Sequence, residues 1–281
     1  MPNIILHRAA AMGDVLLTTG FLPFLEKKHQ TKIICSTIKP EIFQKNPHVE
    51  KIICSGTPPQ IPGIIYNLDD AYELKPKQHI IRSYAERLGL NEFPSPQLFS
   101  NDFDARNVDE KFGGKFPKKS IAIHPSLTWE NRTWPKEYWD KLIIDFTRNG
   151  IDVIVLGAGD DFQFSGNKIW NMNSRLNIFE VKETIKRTLC YIGADTGILH
   201  IAQLTQIPII TFFTSTNPEY RIFRKENTHV LTPNLSCQFC LHEEKPPSHY
   251  VNCKFKHFDC IKKKILPEQI LKIFYERVIK N

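Results

Sequence analysis

Two successive parallel α/β halves are predicted, and three observations predict them. Short apolar runs of strand length alternate with amphipathic stretches from the N-terminus onward. Residues 91–119 then change character, with Pro, Asn, Asp, Lys and Gly-Gly dominating and no apolar period surviving. At Ser120-Ile-Ala-Ile-His124 the alternation begins again. The expected division is a first domain over 1–117, a second domain over 118–265 carrying a Cys-rich segment at 236–260, and a closing helix over 266–281. Open parallel sheets bind ligands at the carboxyl ends of their strands, so a cleft between the two halves is expected.

Taken in order, Ile4-Ile5-Leu6 reads as a strand, Ala9 to Asp14 as a turn, and Val15 to Lys28 as a helix with an apolar face. Strands follow at Lys32–Cys35, Lys51–Cys54 and Gly63–Leu68, and a helix at Pro76–Leu90. In the second half the pattern predicts a helix over Pro135–Asn149, a strand over Ile151–Leu156 and a loop at Gly157–Asp161. A helix over Asn177–Thr188, strands at Tyr191 and Pro208–Phe213, and a helix over Pro267–Lys280 complete it.

The most informative stretch is Tyr191-Ile-Gly-Ala-Asp-Thr-Gly-Ile-Leu-His-Ile-Ala202. An apolar strand stops at Gly193, and apolar residues resume at helical spacing from Ile198. Asp195 or Thr196 is therefore the natural helix cap, and the free N–H groups of such a turn suit a phosphate. A simple capped joint is an equal reading of these residues alone. His200 lies near the mouth of the same turn. A second phosphate candidate is His124-Pro-Ser-Leu-Thr-Trp129, which includes Ser126. Arg132, just before Trp134-Pro135, suits a departing diphosphate or else a surface stack on Trp134. Asp14, at the first strand-to-helix joint, reads as a proton acceptor or as a helix cap. Gly157-Ala-Gly159 lacks the full glycine set of a dinucleotide fingerprint, which weakens a dehydrogenase reading.

The net charge of +7 is uneven. From Glu219 onward twelve Lys/Arg face seven Asp/Glu, and Lys254, Lys256, Lys262, Lys263 and Lys264 crowd together. Such a patch fits nucleic acid, anionic lipid or a phosphorylated substrate, or mere solvation. Hydrophobic residues at 41% and charged residues at 24% fit a globular protein with a proper core. No apolar run approaches the roughly 20 residues of a membrane span. The N-terminus reads as a first strand rather than a signal peptide, so a cytoplasmic location and reduced or metal-bound thiols are expected. Cys237-Gln-Phe-Cys240 has zinc-ligand spacing, with Cys253, Cys260, His242, His249 and His257 nearby. A structural zinc, a disulfide pair and packed thiols all stay open there.

These pieces, in this order, resemble glycosyltransferase family 9, the ADP-heptose:lipopolysaccharide heptosyltransferases. The residues that carry the likeness are Gly13-Asp14-Val15-Leu16-Leu17-Thr18-Thr19, Ile121-Ala-Ile-His-Pro125, Trp134-Pro135, Gly193-Ala-Asp-Thr-Gly-Ile-Leu-His-Ile-Ala202 and the Cys-x-x-Cys segment. The resemblance implies the GT-B architecture: two Rossmann-like domains facing across a cleft, with the nucleotide-sugar donor held mainly by the second. It implies an inverting, metal-independent transfer with Asp14 as general base. Asp195, Thr196 and Gly197 would meet the donor phosphates, joined by Ser126, Arg132 and His200. Arg132 stands where the family usually has Lys, which keeps the charge but changes its shape to a fork. The implied acceptor is lipopolysaccharide core, with Lys262, Lys263 and Lys264 as candidate contacts; the basic tail would equally suit a hydroxylated base in DNA. No cofactor is expected beyond a structural zinc on Cys237, Cys240, Cys253 and Cys260. From another class, a non-catalytic zinc-containing nucleic-acid-binding protein is the alternative.

Overall fold

The computed structural model describes residues 2–127, 129–159, 161–242, 253 and 255–280. The chain forms two compact units, Met1–Phe99 and Ser100–Asn281. Both are built on all-parallel sheets, as the alternation of short apolar runs and helices requires.

Unit 1 runs β1 (Asn3–His7), α1 (Met12–Thr18), α2 (Leu22–His29), β2 (Ile33–Thr37), β3 (Val49–Cys54), β4 (Gly63–Asn67) and α3 (Ile80–Leu88). Its strand order is β3-β2-β1-β4. The two central strands are buried while β3 and β4 at the edges are half-exposed, which accounts for their mixed composition. The expected turn at 9–14 is shorter than predicted, because α1 already begins at Met12. The single helix expected to follow is broken by a 3-10 turn at Thr19–Phe21. There a Cβ on Gly20 would stand 2.7 Å from the Ser95 carbonyl oxygen, so the segment crossing at 94–95 fits only against glycine. Helix α3 ends at Gly89, whose left-handed φ of 63° closes it.

Unit 2 opens with α4 (Asp102–Lys111), then β5 (Ser120–His124), α5 (Lys136–Arg148), β6 (Asp152–Val155), β7 (Ile169–Asn171) and α6 (Ile178–Lys186). It continues through β8 (Tyr191–Ala194), α7 (Gly197–Ala202), β9 (Ile209–Phe212), β10 (Thr228–Leu231), α8 (Asp259–Lys262) and α9 (Pro267–Ile273). The strand order is β10-β9-β8-β5-β6-β7. Helix α4 lies within 91–119, where no apolar period survives in the sequence, and its contacts group it with unit 2. Its apolar period is weak, so capping and charge hold it instead. Asn101 and Asp104 form a capping box, Lys111 pairs with the buried Glu180 at 2.6 Å, and Arg187 grips Asp109 at 2.6 Å. The edge strands β7 and β10 were not predicted, being three and four residues long and only partly buried. The closing helix continues past Ile273 as a π-helical segment, Phe274–Ile279.

The core of unit 2 gathers around Trp134, Trp139 and Phe212. Trp134 meets Trp139 edge-on at 4.9 Å, and its indole N–H donates to the Ile265 carbonyl at 2.8 Å. Among the described residues no helix is long and apolar enough to cross a membrane.

In each sheet the chain reverses its direction of growth at one place, between β1 and β4 in unit 1 and between β5 and β8 in unit 2. The carboxyl ends of strands at such a switch diverge and leave a crevice. Asp14 follows β1, His124 ends β5 and Asp195 follows β8.

Candidate functional site

In unit 1 the site grows from Arg8, the residue after β1. Its guanidinium is buried between the rings of Tyr72 and Tyr84, 5.3 and 5.9 Å from their centroids. One nitrogen donates to Asp14 Oδ2 at 2.7 Å and to Glu73 Oε1 at 2.7 Å, and the other to the Leu68 carbonyl at 3.1 Å. Tyr72 donates its hydroxyl to the same Asp14 Oδ2 at 2.9 Å. Asp69 sits beside them, accepting from the Ala9 N–H and pairing with the buried His7 at 3.0 Å. Burial works against the Arg8 charge, but Tyr84, Asp14 and Glu73 overcome it and raise its pKa further.

Asp14 lies in the first turn of α1 and is not its cap, which is Ala11. Both bonds to its carboxylate fall on Oδ2, so Oδ1 has no partner among the described residues. A carboxylate held by one oxygen, with the other clear, is the geometry of a positioned proton acceptor. Ala11 adopts φ 63° and ψ 109°, which costs a residue with a Cβ on the order of 1–3 kcal/mol.

In unit 2 the roles of the ions are reversed. Asp195 is the buried centre, and Arg132 binds it twice: a guanidinium nitrogen to Oδ2 at 3.0 Å and the other to its backbone carbonyl at 3.1 Å. Thr216 donates to Oδ2 at 2.6 Å. Burial disfavours the Asp195 charge, yet Arg132, Arg221, His200 and the Thr216 hydroxyl together hold its carboxyl below the ordinary 3.8. Arg132 lies 4.0 Å over the ring of Trp129, rather than on Trp134 as one reading had it. Trp134 is instead locked in the core two residues on, which fixes where Arg132 leaves the loop.

Thr196 caps α7, but its side chain makes no capping bond; its hydroxyl pairs with His124 Nδ1 at 2.9 Å. Asp161 anchors the neighbouring loops, accepting from the N–H groups of Leu127 at 2.8 Å and Ala158 at 2.9 Å and lying 3.4 Å from His124 Nε2. Ser126 is buried on the loop between His124 and Leu127. His200 is buried on α7, its ring parallel to that of Phe223. With only six residues, α7 carries little dipole, so the positive field at Asp195 comes chiefly from Arg132 and Arg221.

The structure thus gathers Arg132, Asp195 and His200, with Thr196 adjoining through His124, and adds Arg221, Thr216 and Asp161, which sequence reasoning missed. It missed Arg8, Tyr72 and Glu73 in the same way. Lys262 and Lys263 are exposed and pair with Glu130 and Asp259. Among the described residues no disulfide joins two cysteines. The Cys260 thiol is pushed up to about 11, chiefly by burial and further by Cys253, Cys240 and Cys237, so those three sulfurs lie within electrostatic reach of Cys260. Among the described residues, however, no three His, Cys, Asp or Glu are arranged to hold a metal ion. His249 and Lys254 lie outside the described residues, as does the side chain of His242.

The profile of glycosyltransferase family 9 (heptosyltransferase) matches residues 60–251, well over half of the chain. The chain belongs to glycosyltransferase family 9. Lipopolysaccharide heptosyltransferase 1 of Pseudomonas aeruginosa is 23% identical over 128 residues, 43% of this chain. The matched part is 36% of that relative's length. A family 9 glycosyl transferase from Veillonella parvula has the same fold, with a TM-score of 0.77 at 15% identity over 100% of this chain and 98% of its own. TibC, an iron-containing dodecameric glycosyltransferase of enterotoxigenic E. coli, gives a TM-score of 0.73 at 15% identity, covering 98% of this chain and 75% of its own. TibC has also been solved in complex with ADP-D-β-D-heptose. The family 9 assignment and the two parallel sheets agree with the GT-B class expected from the motifs.

Proposed function

We propose that this family 9 protein is an inverting glycosyltransferase that moves a sugar from a nucleoside-diphosphate sugar to an acceptor hydroxyl. One observation carries the reading: at the joint of β8 and α7 Arg132 binds the buried Asp195 through both its carboxylate and its backbone carbonyl, and Arg221 adds its positive field to the same carboxylate. In unit 1, Asp14 Oδ1 takes the proton of the acceptor hydroxyl while Arg8 and Tyr72 hold Oδ2. The hydroxyl oxygen attacks the anomeric carbon, and the glycosidic C–O bond to the diphosphate breaks in the same displacement, which inverts the centre. In unit 2, Arg132 and Arg221 stabilise the charge that develops on the departing diphosphate, the role a metal ion plays elsewhere. The transfer is therefore written without a metal.

ADP-heptose and lipopolysaccharide, named for TibC and the Pseudomonas relative, favour an ADP-sugar donor and a lipopolysaccharide-type acceptor. The exposed ammonium groups of Lys262, Lys263 and Lys264 suit the phosphates of such an acceptor. The modified-DNA acceptor has no support among these relatives, and family membership favours the enzyme over a zinc-containing nucleic-acid binder. The four clustered cysteines are assigned a structural role. A thermal-shift screen against ADP-, UDP-, GDP- and CMP-sugars tests the reading. An ADP-sugar should raise the melting temperature and be turned over with acceptor. A screen in which no nucleotide sugar binds would end it.

A further inference from the structure

His200 and Gln203 stand one turn apart around the end of α7, and both are almost fully buried. The chemistry around Gln203 fixes which way its amide points. Its Oε1 accepts from the backbone N–H of Phe223 at 2.9 Å and of Arg224 at 3.3 Å. A backbone N–H only donates, so the atom facing these two groups must be the oxygen. The amide nitrogen then faces His200 Nδ1, at 3.3 Å. An NH2 group also only donates, so Nδ1 has to offer a lone pair. A neutral imidazole with a bare Nδ1 carries its hydrogen on Nε2.

Two influences compete for this ring. Asp195 favours the doubly protonated form, and the two share an electrostatic coupling. Gln203 opposes it, because an imidazolium has no lone pair left for the amide. Arg132 and Arg221, clustered on the same carboxylate, oppose it as well. We propose that Gln203 is a positioning residue that holds His200 as the neutral Nε2–H form, so that no imidazolium stands beside the Arg132–Asp195 pair. A charged His200 would compete with Arg132 for Asp195. A neutral one leaves that carboxylate committed to Arg132 and keeps the guanidinium in place. The assignment of the site to a diphosphate rests on the proposed function; the tautomer does not.

The test is long-range ¹H–¹⁵N correlation NMR on the full chain labelled at histidine nitrogen, with the His200 signals assigned by their loss in His200→Asn. Without ligand, Nδ1 should appear unprotonated and Nε2 protonated. Removing the Gln203 oxygen would orphan two buried N–H groups and risk the fold, so the variant of choice is Gln203→Glu. It keeps an acceptor for Phe223 and Arg224 but presents an acceptor to Nδ1, which should then gain a proton. A wild-type ring protonated on Nδ1, or a ring unmoved by Gln203→Glu, overturns the inference. ADP added to the wild type should leave Nδ1 bare. A ring that takes up a second proton when ADP binds by calorimetry overturns the role beside the Arg132–Asp195 pair. If ADP and every nucleotide sugar fail to bind, the proposed function falls and the tautomer result still decides the lock.

Discussion

The two units each bury an arginine–aspartate pair at the switch point of a parallel sheet, and the shared partner differs. In unit 1 a single guanidinium, Arg8, is shared by Asp14 and Glu73 with Asp69 close by. In unit 2 the carboxylate of Asp195 is bound by Arg132 and lies in the field of Arg221. The first arrangement holds Asp14 by one oxygen, and the second gathers positive charge on one carboxylate. A carboxylate held by one oxygen suits removal of a proton; gathered guanidinium groups suit a departing diphosphate.

The largest expected effect breaks the first half of that comparison. Asp14→Asn keeps the size and most hydrogen bonds but loses the base, so turnover should fall by about two or more orders of magnitude. Donor affinity, measured by calorimetry, should hardly move. Near-normal turnover would reduce Asp14 to a structural partner of Arg8. The mirror experiment is Arg132→Ala, which leaves Asp195 buried with a weaker partner set. A lost charge-assisted contact to the diphosphate is worth roughly 1.5–3 kcal/mol, so donor affinity should drop by about one to two orders of magnitude. Unchanged donor binding would move the anion site elsewhere.

Tyr72→Phe sharpens the comparison, because it removes one of the two bonds on Asp14 Oδ2 and leaves the charges alone. A hydrogen bond to a carboxylate is worth about 1.5–3 kcal/mol, so kcat should fall by about ten- to a hundredfold, with the donor KM unchanged. An equal rise in donor KM would mean that Tyr72 serves binding instead. The smallest effect concerns strain. Ala11→Gly should relieve the positive φ before α1 and stabilise unit 1 by about 1 kcal/mol, partly offset by the entropy of glycine. A lower melting temperature would show that the Ala11 methyl group contributes more by packing than its backbone loses.

The parts of the site that were legible in the sequence are those with a local signature. Asp14 follows a strand within a Gly-Asp joint, and Asp195-Thr196-Gly197-x-x-His200 stands between a strand and a helix. Arg132 precedes a Trp-Pro pair. Their partners carried no such mark. Tyr72 and Glu73 sit 58 and 65 residues from Asp14 and Arg8, in a loop that merely looks acidic. Arg221 and Thr216 lie in a stretch with no apolar period. Gln203 reads as an ordinary polar residue after a helix, and only its oxygen's two backbone donors give it a direction. Helix α4 was missed because a capping box and ion pairs sustain it where the apolar stripe is thin.

Alternation of apolar runs and helices by itself determined the two parallel sheets, since buried parallel strands must be continuous in apolar residues and need a crossover between them. The strand-to-helix joints likewise determined that Asp14 and Asp195 stand at carboxyl ends. Only the tertiary structure decided the strand order that puts those ends at switch points. It alone decided which charges meet: that Arg8 is shared by Asp14 and Glu73, and that Asp195 is bound by Arg132 in the field of Arg221. The physical reason is range: hydrophobic period and capping act over a few residues, whereas a buried ion's partners are chosen by contacts between segments distant in the chain, where desolvation makes every pairing count.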